Sequence, residues 1–207
     1  MKKHIVRIVG GDYRRTPISV VDAPGLRPTP DRVRETLYNW LHHLWGGRFS
    51  DKQVLDLFAG TGALGFEAAS RGVAHVQMVE NNPAAIAALR ALRTKLGAQN
   101  VRIHAGDAAV VAKRLDASRY DLVLLDPPFG LGWLDRLWNE LPTFLAPQGL
   151  VYVEAETPPQ APPNFTIIRQ SRAGQVHFAL LQFAALQEKD NNRSFSLNTI
   201  STQSETT

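Results

Sequence analysis

Between residues 53 and 155, short apolar runs alternate with stretches of helical period, and this alternation restricts the fold more than any other feature of the chain. "QVLDLFA", "HVQMVE", "VRIHAG", "YDLVLLD" and "GLVYVEA" read as buried strands. "ALGFEAASR", Pro83 to Leu96, residues 108–115 and "WLDRLWNEL" read as the intervening helices, the last with Leu134, Leu137, Trp138 and Leu141 on one face. Strands and helices in strict alternation imply a parallel, doubly wound sheet with right-handed crossovers. "NFTIIRQ" and "QVHFALLQFA" add two strands, joined at Ser171–Gly174 by a turn short enough for a hairpin, so the sheet is expected to end in an antiparallel strand.

Upstream, residues 5–25 read as short extended pieces with turns at Gly10-Gly11 and Pro24-Gly25. "RPTPDRVRETLYNWLHHL" then reads as a helix. Thr29 is expected to cap it, with Pro30 at its first position and Asp31 at its positive end. Val33, Leu37, Trp40, Leu41 and Leu44 form its apolar stripe, Arg32 and Arg34 flank that stripe on opposite sides, and Gly46-Gly47 ends the helix. From about residue 187 the chain is polar and expected to be disordered. The expected organisation is a basic N-terminal extension over 1–50, a main α/β domain over 51–186 and a polar tail over 187–207.

Composition narrows the function classes. The 207 residues contain no cysteine, which excludes disulfides, thiolate metal sites and cysteine nucleophiles and offers no argument for secretion. No apolar stretch has the length of a membrane span or a signal peptide, so a cytoplasmic protein is expected. The six histidines lack metal-ligand spacing with acids, and no metal is expected. The net charge of +4 lies wholly in residues 1–36, where Lys2, Lys3, Arg7, Arg14, Arg15, Arg27, Arg32 and Arg34 outnumber Asp12, Asp22, Asp31 and Glu35. This pattern fits a polyanionic partner, and equally a solvated basic terminus.

The turn after the first main strand, "DLFAGTGALG", contains G-x-G-x-x-G at Gly60, Gly62 and Gly65. Such a loop lets backbone approach a ligand at the carboxyl edge of a sheet, and it suits a nicotinamide dinucleotide or S-adenosylmethionine alike. Asp56 favours the second ligand. A carboxylate there repels a pyrophosphate and attracts an ammonium or sulfonium. Its other reading is a clamp on backbone amides of the loop. Glu80 closes the second strand, where an acid accepts from ribose hydroxyls, or stands beside a cap made by Asn81 or Asn82. Asp107 follows the third strand as an acceptor for an adenine amino group, with the Ala108 amide alongside, or as an N-cap.

"DPPFG" at 126–130 follows the fourth strand. An exocyclic amine on a base is a poor nucleophile because its lone pair is delocalised into the ring. Two acceptors on its hydrogens draw it toward a tetrahedral nitrogen. The Asp126 carboxylate and the Pro127 carbonyl can supply them, with Pro127 and Pro128 holding the backbone extended and Phe129 offering a stacking face. The alternative is a strand-ending turn with a core phenylalanine. The four tryptophans read as packing residues, although Trp133 also stands where it can line the target pocket.

"DPPF" resembles the target-site motif of amino-group methyltransferases. With "RIVGGDYRRTPISV", "PGLRPTPDRVRETLYNWL", "VLDLFAGTGALGFEAASRG" and "AGQVHFALL", the chain over residues 5–184 resembles the bacterial 16S ribosomal RNA guanine-N2 methyltransferases of the guanine-966 class. The resemblance implies a doubly wound, Rossmann-like class I S-adenosylmethionine-dependent methyltransferase with a seven-stranded, mostly parallel sheet and a C-terminal antiparallel hairpin strand. It implies S-adenosyl-L-methionine as cofactor, held by Asp56, Phe58, Gly60, Thr61, Gly62, Glu80, Asn81, Asp107 and Ala108. Asp126, Pro127, Pro128 and Phe129 would be catalytic, and Arg27, Thr29, Arg32 and Arg34 would face RNA. The implied partner is 16S rRNA in the small ribosomal subunit or its assembly intermediate, and nothing in the sequence demands more than a monomer. Ala59 departs from the pattern, since many methyltransferases have a further glycine there. Rival readings are an amino-methyltransferase acting on adenine or cytosine in DNA, a nicotinamide oxidoreductase, and a non-catalytic RNA-binding assembly factor.

Overall fold

A computed structural model describes residues 6–20, 29–115 and 120–184. Arg27, Lys2, Lys3, the turn at Pro24-Gly25 and the tail at 187–207 lie outside the described residues. A two-stranded antiparallel ribbon, β1 (Val6–Arg7) with β2 (Pro17–Ile18), precedes helix α1 (Asp31–Leu44). The main sheet follows as β3 (Gln53–Asp56), α2 (Ala63–Ser70), β4 (His75–Glu80), α3 (Pro83–Leu96), β5 (Val101–Ala105), α4 (Ala108–Ala112) and β6 (Tyr120–Leu125). The rest is α5 (Trp133–Leu137), α6 (Leu141–Phe144), β7 (Leu145–Ala155), β8 (Phe165–Ala173) and β9 (Val176–Phe183).

The sheet order is β5-β4-β3-β6-β7-β9-β8. The five strands from β5 to β7 pair in parallel, and β9 pairs antiparallel with both β7 and β8. The expected seven-stranded, doubly wound sheet is therefore present. Winding reverses between β3 and β6, which opens a crevice at their carboxyl ends.

The period of two along each strand sorts the core into two layers. Val54, Leu122, Leu124 and Tyr152 face α1, α2 and α3, where Leu37, Leu41, Phe66 and Leu89 bury against them. Leu55, Val123, Leu125 and Val153 face the other side, where Leu137, Leu141 and Phe144 close the second layer. Val6, Ile8 and Ile18 share the first layer, so the described part of the N-terminal extension packs into the same core as the sheet. Glu67 of α2 fastens it. Buried, it accepts from the backbone N–H groups of Val9 (2.7 Å) and Gly10 (2.8 Å) and pairs with Arg71 at 3.0 Å.

Several local expectations need correction. β3 ends at Asp56 and not at Ala59, because the chain turns there into the glycine loop. The helix read over 133–141 breaks after Leu137 and restarts at Leu141, where Pro142 has no N–H to continue the ladder. The final hairpin is tighter than the expected turn. β8 runs to Ala173, and Gly174 turns the chain at φ +63°. On α1, Val33, Leu37 and Leu41 are buried, Trp40 is half-buried and Leu44 is exposed, while Arg34 and Tyr38 occupy the buried face. Among the described residues no helix is long and apolar enough to cross a membrane.

Candidate functional site

The carboxyl ends of β3, β4, β6 and β7, with the loop after β5, enclose a cavity of about 230 Å³. Phe58, Gly60, Thr61, Glu80, Asn81, Asp107 and Ala108 line one part, and Thr29, Asp126, Pro127, Pro128, Phe129, Trp133 and Glu154 line another. Four carboxylates belong to this wall, Glu80, Asp107, Asp126 and Glu154, and among the described lining residues there is no Lys, Arg or His. Such a wall attracts a cation and repels a pyrophosphate. Among the described residues no group of three metal-ligating side chains forms.

Glu80 organises the loop. Its Oε2 accepts from Gly60 N–H (2.7 Å), and its Oε1 accepts from Asn81 N–H (2.9 Å) and Asn82 N–H (2.8 Å). Gly60 needs its glycine, since it sits at φ +53°. The next helix is capped by Asn82, which accepts from the amides of Ala84 and Ala85. Asp107 caps α4 with Oδ1, which takes the amides of Ala109 (2.9 Å) and Val110 (3.1 Å). Glu80 and Asp107 thus each support backbone and also line the cavity.

Asp56 and Gly62 are not on the cavity wall. Asp56 is only 1% exposed and lies behind the loop, where its Oδ2 accepts from Gly65 N–H at 3.1 Å. The side chain of β3 at this position faces α2, which approaches closely because residue 65 lacks a Cβ. An added methyl there would meet Met78 Cε at 2.6 Å and Asp56 Oδ2 at 3.0 Å. Gly62 packs in the same way, at φ +80° with Leu89 and Phe66 against it. Gly65 thus serves helix–strand packing and Gly62 a turn pressed between side chains of α2 and α3, and of the three glycines Gly60 lines the cavity. Asp56 therefore does not face the cavity, contrary to the expectation from sequence, and Glu80 and Asp107 supply the carboxylates of that part of its wall.

Burial pushes the Asp56 carboxyl up to about 7 from its ordinary 3.8, against the opposing pull of the Phe58 and Gly65 amides. Because the folded value is the higher one, Asp56 favours folding most at pH values below about 4. That contribution is lost as pH rises through 7, by about 4 kcal/mol if Asp56 acts alone. Urea unfolding of Asp56→Asn between pH 5 and 8 is expected to show a flatter pH slope than the unmodified protein. Parallel slopes would contradict this role.

The other end of the cavity is built from distant parts of the chain. Thr29 is buried, and its hydroxyl donates to Asp126 Oδ2 at 3.1 Å. It does not cap α1. The N-cap is Pro30, with no side-chain hydrogen bond. Thr29 is positioned by Arg34, whose side chain is fully buried. Arg34 donates to the carbonyl of Thr29 (3.4 Å), to the carbonyl of Arg7 and to Asp31 Oδ1 (2.8 Å). Burial lowers its pKa, while Asp31 and Glu67 raise it. Arg34 is a buried clasp, so its assignment as an RNA-facing residue is corrected, whereas Thr29 touches Asp126 and lines the cavity beside it. Arg32 is exposed at the start of α1.

Asp126 and Phe129 are half-buried and Pro127 is buried. Phe58 meets Trp133 edge to face, with centroids 5.2 Å apart, and both line the cavity with Phe129. Trp133 therefore joins the wall. Glu154 escaped the sequence reading. It is an acid near the end of an apolar strand, the same signal that singled out Asp56.

The sequence model of a family described as conserved hypothetical protein 95 matches residues 6–182. Relatives called ribosomal RNA small subunit methyltransferase D are 40% identical in Escherichia coli K12 and 34% identical in Haemophilus influenzae. They cover 89% and 86% of this chain and 93% of each relative. The solved yhhF structure of Escherichia coli is 40% identical, superposes with a TM-score of 0.77, and covers 87% of this chain and 99% of its own. By fold, by cavity and by this kinship along nearly its whole length, the chain belongs to the family of ribosomal RNA small subunit methyltransferase D.

Proposed function

We propose that this protein transfers the methyl group of S-adenosylmethionine to the 2-amino group of one guanine, of the 966 class, in the 16S rRNA of the small ribosomal subunit. The observation that carries this reading is the cation-free, acid-lined cavity, with Glu80 and Asp107 in one part and Asp126 to Phe129 in another. The names of the relatives support the RNA substrate. The donor set fits the cofactor. The carboxylates suit its ammonium and ribose hydroxyls, Gly60 permits close approach, and Phe58 offers an apolar face.

The cofactor supplies a sulfonium methyl as the electrophile. The chain's own residues align the nucleophile. Asp126 and the Pro127 carbonyl accept the two amine hydrogens, and Phe129 stacks on the extruded base. Thr29 donates to Asp126 Oδ2 and so fixes the carboxylate before substrate arrives. Alignment and electrostatics supply the acceleration. Asp126 orients the amine, which loses its proton readily once it has become cationic.

Arg32 is the described RNA-facing candidate, and Arg27 is its counterpart outside the described residues. Arg32→Glu is expected to weaken RNA binding and to reduce the salt slope by about one unit, read by titrations at several salt concentrations. Unchanged affinity would make Arg32 a solvated surface residue. The function itself is tested by offering labelled cofactor with unmodified small subunits and, separately, with duplex DNA. Label on the ribosomal particle alone is expected. Label on DNA would favour a DNA amino-methyltransferase, and none on either would favour a non-catalytic assembly factor.

A further inference from the structure

We infer that Glu154 accepts a hydrogen bond from the ring N1–H of the target base and thereby selects guanine over other bases that carry an exocyclic amine. This rests on the function proposed above and names the residue that sets its base specificity.

The sheet register brings the two carboxylates together. β6 and β7 pair in parallel with Leu124 opposite Tyr152 and Leu125 opposite Val153. One step further along, Asp126 comes level with Glu154, on strands separated by about 4.8 Å. Both residues line the same cavity. Glu154 is only 3% exposed, and its Oε1 accepts from the Tyr152 hydroxyl at 2.9 Å. Tyr152 is fully buried, and burial together with the carboxylates of Glu154 and Asp126 raises its pKa, so it remains a donor. It holds the carboxylate in place from inside the core.

The base chemistry supplies the rest. In guanine the 2-amino group adjoins N1–H, so the edge presents donor beside donor. In adenine the amine adjoins a bare ring nitrogen, and so it does in cytosine, which gives donor beside acceptor. Adjacent carboxylates match only the first pattern. Against the second, Glu154 would face a lone pair in a buried site, where mismatched polar groups are costly. The Asp126 motif accepts any of these amines, so Glu154 supplies the discrimination that the motif lacks.

The test uses small-subunit RNA in which the target guanine is replaced by 2,6-diaminopurine, which keeps the 2-amine but has no N1–H. The unmodified protein is expected to prefer guanine by about a hundredfold or more in kcat/KM. In Glu154→Gln the amide can donate to the bare N1, and the preference is expected to shrink at least tenfold. A ratio of two substrates on one preparation does not depend on the active fraction. If Glu154→Gln does not fold, Tyr152→Phe, which frees the carboxylate, is read by the same ratio and is expected to lower it severalfold. The inference is overturned if the unmodified protein methylates both RNAs within a few fold of each other, or if the variant leaves the ratio unchanged. Failure to methylate the guanine RNA at all would instead defeat the proposed function.

Discussion

Asp126→Ala is expected to bind S-adenosylhomocysteine as the unmodified protein does and to lose turnover by about a hundredfold or more. The two effects separate because the cavity does. Glu80 and Asp107 are anchored to backbone amides of the glycine loop and of α4, and none of those bonds involves Asp126. Asp126 instead receives the Thr29 hydroxyl, and its loss removes the carboxylate proposed to accept from the amine. Asp126→Asn keeps one carbonyl oxygen, so its turnover is expected to fall between the two. Calorimetry with S-adenosylhomocysteine and single-turnover methyl transfer measure the two halves. Normal turnover in Asp126→Ala would contradict the role given to this carboxylate.

Arg34→Met is expected to lower the unfolding free energy by about 3 kcal/mol. The replacement preserves a long side chain but removes every donor. The carbonyls of Arg7 and Thr29 lose their guanidinium, and Asp31 loses its ion pair. Little of this loss comes from Asp31, whose side chain is 59% exposed and can return to water. The two carbonyls, of which that of Thr29 is buried, account for most of it. In a domain of this size the change corresponds to a fall in melting temperature of roughly 10 °C. Turnover of the folded fraction should also drop, since Thr29 loses the group that fixes its backbone beside Asp126. A melting temperature within a degree or two of the unmodified protein would show that the clasp contributes little.

Arg34 also shows where sequence reading stops. An arginine two residues from another at the start of a helix that follows a basic segment has the pattern of a phosphate contact, and Arg32 fits that pattern. Arg34 lies on the buried face because β1 closes over it, and a two-residue strand pairing leaves too faint a trace to foresee. Thr29 is similar. Its place before Pro30 has the composition of a cap, yet its hydroxyl reaches an acid 97 positions away along the chain. By contrast, β4 and α3 are found with the bounds read from periodicity, because an apolar run of strand length and a Pro-to-Gly helical stretch are local signals. Asp126 was legible because its motif sits at a strand end. Asp56 was half legible: its position in the strand is as read, but the face it turns to depends on how closely α2 packs, and that depends on Gly65. Glu154 carried a readable signal, an acid in "GLVYVEA", whose meaning emerges only when the register sets it beside Asp126.

The reaction proposed for this protein is methyl transfer to a guanine 2-amino group in small-subunit RNA. It is tested most directly by incubating the protein with unmodified small subunits and S-adenosylmethionine, then digesting the RNA and mapping the modified nucleoside by mass spectrometry. N2-methylguanosine at a single position is the expected product. Methyl groups on adenine or cytosine, or none on the RNA, would contradict the account.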